Sequence, residues 1–186
     1  MESYDELSDF VFQISSKGCQ HFIVHARKAW LKGLSPKENR TIPPLNYEWV
    51  YHLKKDFPSL QITINGGIES CEDITKQLEF VDGVMIGRSI YHNPFLLKEI
   101  DQQIFDETNN LIDREQVLKK YMTYIKKQNK AGISIRSMTR HILGLYHGEA
   151  NAKLFRRLLS GQIVGLGQLN EWLDFKKNSS TENKSI

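Results

Sequence analysis

Two cysteines among 186 residues, Cys19 and Cys71, are too few for a disulfide framework. They fit a reducing, cytoplasmic compartment and form no metal-ligand cluster with histidine or acid. No apolar run approaches the ~20 residues that span a bilayer. The start, Met1-Glu2-Ser3-Tyr4-Asp5-Glu6, is acidic and is not a secretory signal. No internal repeat is visible, which excludes solenoids. What remains is an ordinary globular composition, with 25% charged and 10% aromatic residues.

The net charge of +3 is unevenly spread. From Asp113 onward there are 14 Lys and Arg against 6 Asp and Glu, a net of +8; residues 1–112 hold 11 against 16, a net of −5. A basic half beside an acidic half suits a polyanionic partner, or is simply a solvated helical surface.

The first half alternates. Helices are expected over 4–17 (Leu7, Phe10, Val11 and Ile14 on one side), 47–57 (Asn46 as N-cap, Pro58 as stop) and 70–80 (Ser70/Asp73 cap). Another is expected from Asn93-Pro94 to Ile104. Strands are expected over 21–26, 60–65 and 81–87. Their apolar runs predict a parallel sheet covered on both faces. Three strands cannot close a barrel, so this is an open α/β unit or part of a longer barrel; the second is the preferred reading. The second half is helical, with periodic sets at Val117/Tyr121/Ile125, Ile135/Met138/Ile142/Leu145, Leu154/Phe155/Leu158/Leu159 and Leu169/Trp172/Leu173. Gly132, Gly148 and Gly161 punctuate it. This predicts a small helical bundle. The expected domains are 1–108, 109–177 and a disordered tail, 178–186, with the boundary near Thr108-Asn109-Asn110.

Asn65-Gly66-Gly67 ends one apolar run and Gly87-Arg88 ends the next. Glycine lets backbone N–H groups approach an anion, and a following helix N-terminus favours phosphate. Two such turns on neighbouring strands predict one phosphate cup, at the face of a β/α barrel that carries active sites. His25 ends the first strand on the same face. It could serve the site or be a satisfied strand-end histidine. A long loop follows, with Arg27, Lys28, Lys32, Lys37 and Arg40 around Trp30. Ser35-Pro36 and Glu38 predict a capping box that orders it. The loop is a nucleic-acid lip with Trp30 exposed, or an ordinary barrel loop with Trp30 inward.

The stretch His25-Ala26-Arg27-Lys28-Ala29-Trp30-Leu31, then Gly33 to Arg40 and Ile42-Pro43-Pro44-Leu45, resembles the A-type tRNA-dihydrouridine synthases. Asn65-Gly66-Gly67-Ile68, Asp82-Gly83-Val84-Met85-Ile86-Gly87-Arg88, Thr139-Arg140-His141-Ile142-Leu143-Gly144-Leu145 and Arg156-Arg157 extend the match in order, up to about Ser160. The glycine turns are common to many flavin barrels; the basic loop is more particular to this family. The resemblance implies the last three strand–helix units of a (β/α)8 TIM barrel followed by a small all-α domain. It implies FMN as cofactor, NADPH as electron donor and tRNA as partner, with reduction of D-loop uridine to dihydrouridine. It assigns His25, Asn65, Gly66, Gly67, Gly87 and Arg88 to FMN, and Lys37, Arg40, Lys153, Arg156 and Arg157 to tRNA. No catalytic residue is assigned in this chain, because the family's cysteine general acid belongs to a preceding N-terminal half. The chain is therefore expected to be a C-terminal fragment, a truncated gene model or one piece of a split protein whose N-terminal half is a separate partner, and to be inactive alone. A non-catalytic tRNA-binding remnant and a flavin-barrel reductase of a small molecule are the rival readings.

Overall fold

The computed structural model describes residues 3–30, 32–107, 112–161 and 165–182. It divides into two compact units, Met1–Ser89 and Ile90–Ile186.

In the first unit, α1 (Tyr4–Ser15) precedes β1 (His21–His25), α2 (Tyr47–Asp56), β2 (Gln61–Asn65), α3 (Cys71–Leu78) and β3 (Gly83–Met85). The strands form one parallel sheet in the order β1-β2-β3. Local hydrogen bonds account for the helix starts. Asn46 accepts from the Trp49 N–H, and Ser70 and Asp73 form the expected reciprocal capping box. Pro58 follows the last residues of α2, as its missing N–H and fixed φ require. The Lys54 ammonium reaches Asp82 at 2.8 Å and the Leu60 carbonyl at 2.9 Å. Asp82 also accepts the Ile62 N–H at 2.8 Å, so one carboxylate ties α2, β2 and the approach to β3.

The sheet is covered on one face, not on both. Ile62 and Ile64 are fully buried, whereas Ile23 on β1 is 56% exposed and Met85 on β3 is 46% exposed. Side chains of opposite parity point to opposite faces, so the open face carries His21, Ile23, His25, Thr63, Asn65 and Met85. The apolar runs concealed this asymmetry because both parities are partly apolar. In α1 only Val11 is buried; Phe10 and Ile14 are exposed. The Tyr4 hydroxyl donates to Asp56 at 2.5 Å and anchors α1 to the end of α2.

A short helix not expected from sequence, α4 (Arg88–His92), begins in the first unit and ends in the second. The other described elements of the second unit are α5 (Leu96–Ile104), α6 (Arg114–Lys130), α7 (Ile135–Thr139), α8 (Ala152–Ser160) and α9 (Leu166–Glu182). Pro94 lies in the turn before α5 rather than at its first position. The core gathers Leu118, Ile125, Tyr146, Phe155, Leu159 and Trp172, all at most 2% exposed. The Tyr146, Phe155 and Trp172 rings lie within 4.6–5.1 Å of one another. Arg114 stacks 3.9 Å from the Phe95 ring and donates to the Leu145 carbonyl at 2.6 Å.

Three expectations need correction here. The expected domain boundary, at Thr108 to Asn110, lies outside the described residues, and the units divide earlier, at Ser89/Ile90. α5 therefore belongs to the second unit. Residues 178–182 continue α9 rather than starting a disordered tail, and 183–186 lie outside the described residues. Ile142 and Leu145 are buried but not helical, because α7 ends at Thr139. The chain turns there to bring Gly144 against the His92 backbone, where a Cβ would lie 2.1 Å from the His92 carbonyl oxygen.

Candidate anion and nucleic-acid sites

Register builds the first site. His25 pairs with Asn65, and Asn65 with Met85, so three strand ends stand side by side. The Asn65 side-chain amide donates to the Met85 carbonyl at 2.7 Å and bridges two strands. His25 Nδ1 lies 3.1 Å from the Asn65 carbonyl. A carbonyl only accepts, so Nδ1 donates, and in the neutral ring Nε2 is left as an acceptor. His25 is thus both a satisfied strand-end histidine and a wall of the site.

Beyond these strand ends lies a cavity of about 160 Å³, lined by His25, Arg40, Asn65, Gly66, Gly67, Ile68, Glu69, Met85, Gly87, Arg88 and Ser89. All six residues expected at the cup therefore meet in one place. Among the described residues, no acceptor takes the N–H of Gly66, Gly67 or Gly87. Unpaired backbone donors beside Arg40 and Arg88 suit an anion; Glu69 is the one acid among the lining residues. A Cβ on Gly87 would meet nothing within 4 Å, so the cup is open on that side.

The structure changes the reason for two of these glycines. A Cβ on Gly66 would lie 2.8 Å from His25 Nδ1, and one on Gly67 would lie 2.4 Å from Leu45 Cδ1. Both residues have positive φ, 117° and 69°. They are glycine so that His25 and Leu45 can close over the turn, and so that the turn can form at all. The amides of Glu69, Ser70 and Asp73 at the α3 N-terminus, in turn, are not available to a phosphate. The Asp73 carboxylate accepts the N–H groups of Glu69 at 3.0 Å and Ser70 at 3.1 Å, and the Ser70 hydroxyl accepts that of Asp73. The Glu69 and Ser70 amides hold Asp73 below the usual carboxylate range, against a smaller opposing effect of burial. The cup therefore rests on glycine amides, arginine and the start of α4 at Arg88, not on these α3 amides.

The basic loop between β1 and α2 is an ordered strap. Ser35 and Glu38 form the expected capping box, with Ser35 N–H and hydroxyl donating to Glu38 at 2.8 and 2.6 Å. A 3-10 turn, Glu38–Arg40, follows. The Asn39 side chain accepts the Trp30 N–H at 2.7 Å and donates to the Trp30 carbonyl at 2.9 Å, pinching the strap. Arg27 donates to the Pro43 and Thr41 carbonyls at its base. Lys37 and Arg40 are exposed, and Trp30 is 44% exposed, so the outward reading of the tryptophan holds. Arg88 Nη2 donates to the Arg40 carbonyl at 2.9 Å. Sequence reasoning missed that bond; it spans 48 residues and carries no local signal.

In the second unit, α8 buries Phe155 and Leu159 and exposes Lys153, Arg156 and Arg157. The three line a groove of about 960 Å³ with Glu149, Asn151 and Ser160 among its other walls. Exposed cations on a helix whose far face is locked in the core can meet phosphates without cost to the fold. Neither cysteine lines the cup: Cys71 is buried at the start of α3, and Cys19 precedes β1, at the opposite end of the strand from His25. Among the described residues no cluster could hold a metal ion, and no helix is long and apolar enough to cross a membrane.

The family model described as dihydrouridine synthase (Dus) matches residues 1–179. A tRNA-dihydrouridine(20/20a) synthase of Synechocystis sp. is 50% identical over 163 residues, covering 88% of this chain and 49% of that protein. Those of Haemophilus ducreyi and Pasteurella multocida are 51% and 48% identical over 160 residues, each match covering 86% of this chain and 49% of the relative. The chain spans about half the length of the curated relatives it matches. A match of this extent, with the strand-end turns and the ordered basic strap in place, shows that the chain belongs to the dihydrouridine synthase family.

Proposed function

We propose that this chain serves FMN-dependent reduction of uridine to dihydrouridine in the tRNA D loop, with NADPH as electron source. On this reading β1–β3 and their helices are the last three strand–helix units of a (β/α)8 barrel. The open face with His21, Ile23, His25 and Met85 is then part of the barrel interior, and β1 has a further strand as its neighbour. The helical region that follows, 109–177, is an RNA-binding domain. A cytoplasmic setting belongs to the same reading.

The observation that carries it is the cup: Gly66, Gly67 and Gly87 amides without acceptors among the described residues, beside Arg88, at the ends of in-register strands. Asn65 and these residues would hold the FMN phosphate, and His25 would contact the cofactor through its free Nε2. When bound, FMN supplies the hydride that reduces the 5,6 double bond of uracil. Lys37 and Arg40 on the strap, and Lys153, Arg156 and Arg157 on α8, would neutralise tRNA phosphates. A uracil in a folded tRNA must leave its stack to reach a flavin, so strap and helix hold the backbone while the base is extruded.

The proton for the neighbouring carbon needs an acid within reach of the uracil. Cys71 is buried at the start of α3 and Cys19 lies at the end of β1 opposite His25, which favours a second statement: the chain alone does not turn over uridine. The test is uridine reduction in unmodified tRNA with NADPH and FMN. Turnover is expected when the N-terminal half of a relative is supplied, and none without it. No turnover with that half, despite bound flavin, would refute the proposal.

A further inference from the structure

Tyr47 is the first residue of α2, and its hydroxyl donates to the Gly66 carbonyl at 2.8 Å. The consequence of this bond lies in peptide geometry. The Gly66 C=O and the Gly67 N–H belong to one peptide unit, and no described peptide is cis. In a trans peptide the two bonds point in opposite directions. Drawing the carbonyl toward Tyr47 therefore turns the Gly67 N–H the other way. That N–H has no acceptor among the described residues, and Gly67 lines the cup. With φ of 117° and 69°, the two glycines are flanked by torsions that rotate easily. Without an anchor the peptide could flip and present its carbonyl, a repulsive group, to an anion.

The anchor is itself held. Asn46, just before Tyr47, donates its N–H to the Ala26 carbonyl at 2.8 Å and caps α2. The Tyr47 ring stacks on Tyr51, whose hydroxyl donates to Gln77 at 2.8 Å. Burial, and then the charge of Asp73, push the Tyr47 phenol above its ordinary range, so it remains a donor.

We infer that Tyr47 is a positioning residue that aims the Gly67 amide at a phosphate group in the cup. The inference rests on the reading of the cup as a phosphate site. It concerns a phosphorylated ligand specifically, which separates it from a merely structural role. FMN and riboflavin share the ring system and differ in the phosphate.

The experiment titrates the full chain and its Tyr47→Phe variant with FMN and with riboflavin, read by flavin fluorescence. The variant should lose roughly three- to tenfold in FMN affinity, the worth of one aligned hydrogen bond, and keep its riboflavin affinity within about twofold. Equal losses for both flavins, or an unchanged FMN affinity, would overturn the inference. Wild-type chain binding FMN no more tightly than riboflavin would overturn the phosphate cup itself, and the inference with it. A second measurement follows the ¹⁵N–¹H signal of Gly67 with inorganic phosphate. It should move on titration in wild type and move much less in Tyr47→Phe; equal movement in both proteins counts against the inference.

Discussion

Alanine at Gly67 tests the claim that the turn is glycine for the protein's own packing. Two costs are expected. The first is backbone strain, since φ is 69°; a side chain in the left-handed region costs roughly 1–2 kcal/mol. The second is collision. The new Cβ would lie 2.4 Å from Leu45 Cδ1 and 3.1 Å from the Tyr47 hydroxyl oxygen. Carbon pairs prefer about 3.5–4.0 Å, so Leu45 must move, and overpacking of this kind costs about 1–3 kcal/mol. Gly67→Ala should therefore destabilise the first unit by about 2–5 kcal/mol. The separation comes from a cycle with Leu45→Ala. That substitution removes the Leu45 collision and leaves the strain and the Tyr47 contact, so the double variant should be about 1–3 kcal/mol more stable than the sum of the singles. The assay is urea unfolding followed by tryptophan fluorescence, with Trp30 and Trp49 reporting on the first unit. Costs that add within about 0.5 kcal/mol, or a Gly67→Ala cost below about 1 kcal/mol, would refute the reasoning.

Replacing Lys37, Arg40 and Arg156 with Ala should flatten the salt dependence of tRNA binding by about 2–3 in log–log slope; filter binding across a salt series checks it, and an unchanged slope would remove these residues as phosphate contacts. Gly144→Ala should cost more than about 2 kcal/mol, because its Cβ meets backbone rather than a movable side chain; a urea midpoint shift too small for that cost would show that the His92 turn can yield. Acid should loosen the first unit through Asp82. Burial alone would raise its pKa, but the Ile62 amide and Lys54 outweigh burial and hold it below the usual range. A carboxylate depressed in the folded state stabilises fully above its unfolded pKa of about 3.9, and that stability is lost as pH falls through the lower folded value. Asp82→Asn should therefore destabilise at neutral pH and flatten the loss of stability below about pH 4; an acid limb as steep as wild type would assign it to other carboxylates.

Much of this molecule was legible because its signals are local. Ser35–Glu38, Asn46–Trp49 and Ser70–Asp73 are caps closed within three residues. The strand–helix alternation and the basic face of α8 follow from periodicity over a few turns. The two glycine turns were legible as turns at strand ends, and the phosphate role read from them is the proposal made above. The reason for those glycines was not legible. His25 and Leu45 reach Gly66 and Gly67 from about 40 and 20 positions earlier in the chain; parallel register brings His25 there, and an antiparallel bridge to Arg27 places Leu45. The Arg88–Arg40 and Tyr47–Gly66 bonds are likewise products of packing between elements. The open face of the sheet was hidden for a related reason: apolar residues on both parities declare a strand, but what covers each face is set by other elements. Local sequence set the strand–helix alternation of the first unit and the caps at Ser35, Asn46 and Ser70. Tertiary structure alone decided which amides were left unpaired and which way they point, because a peptide's orientation depends on whatever binds its carbonyl.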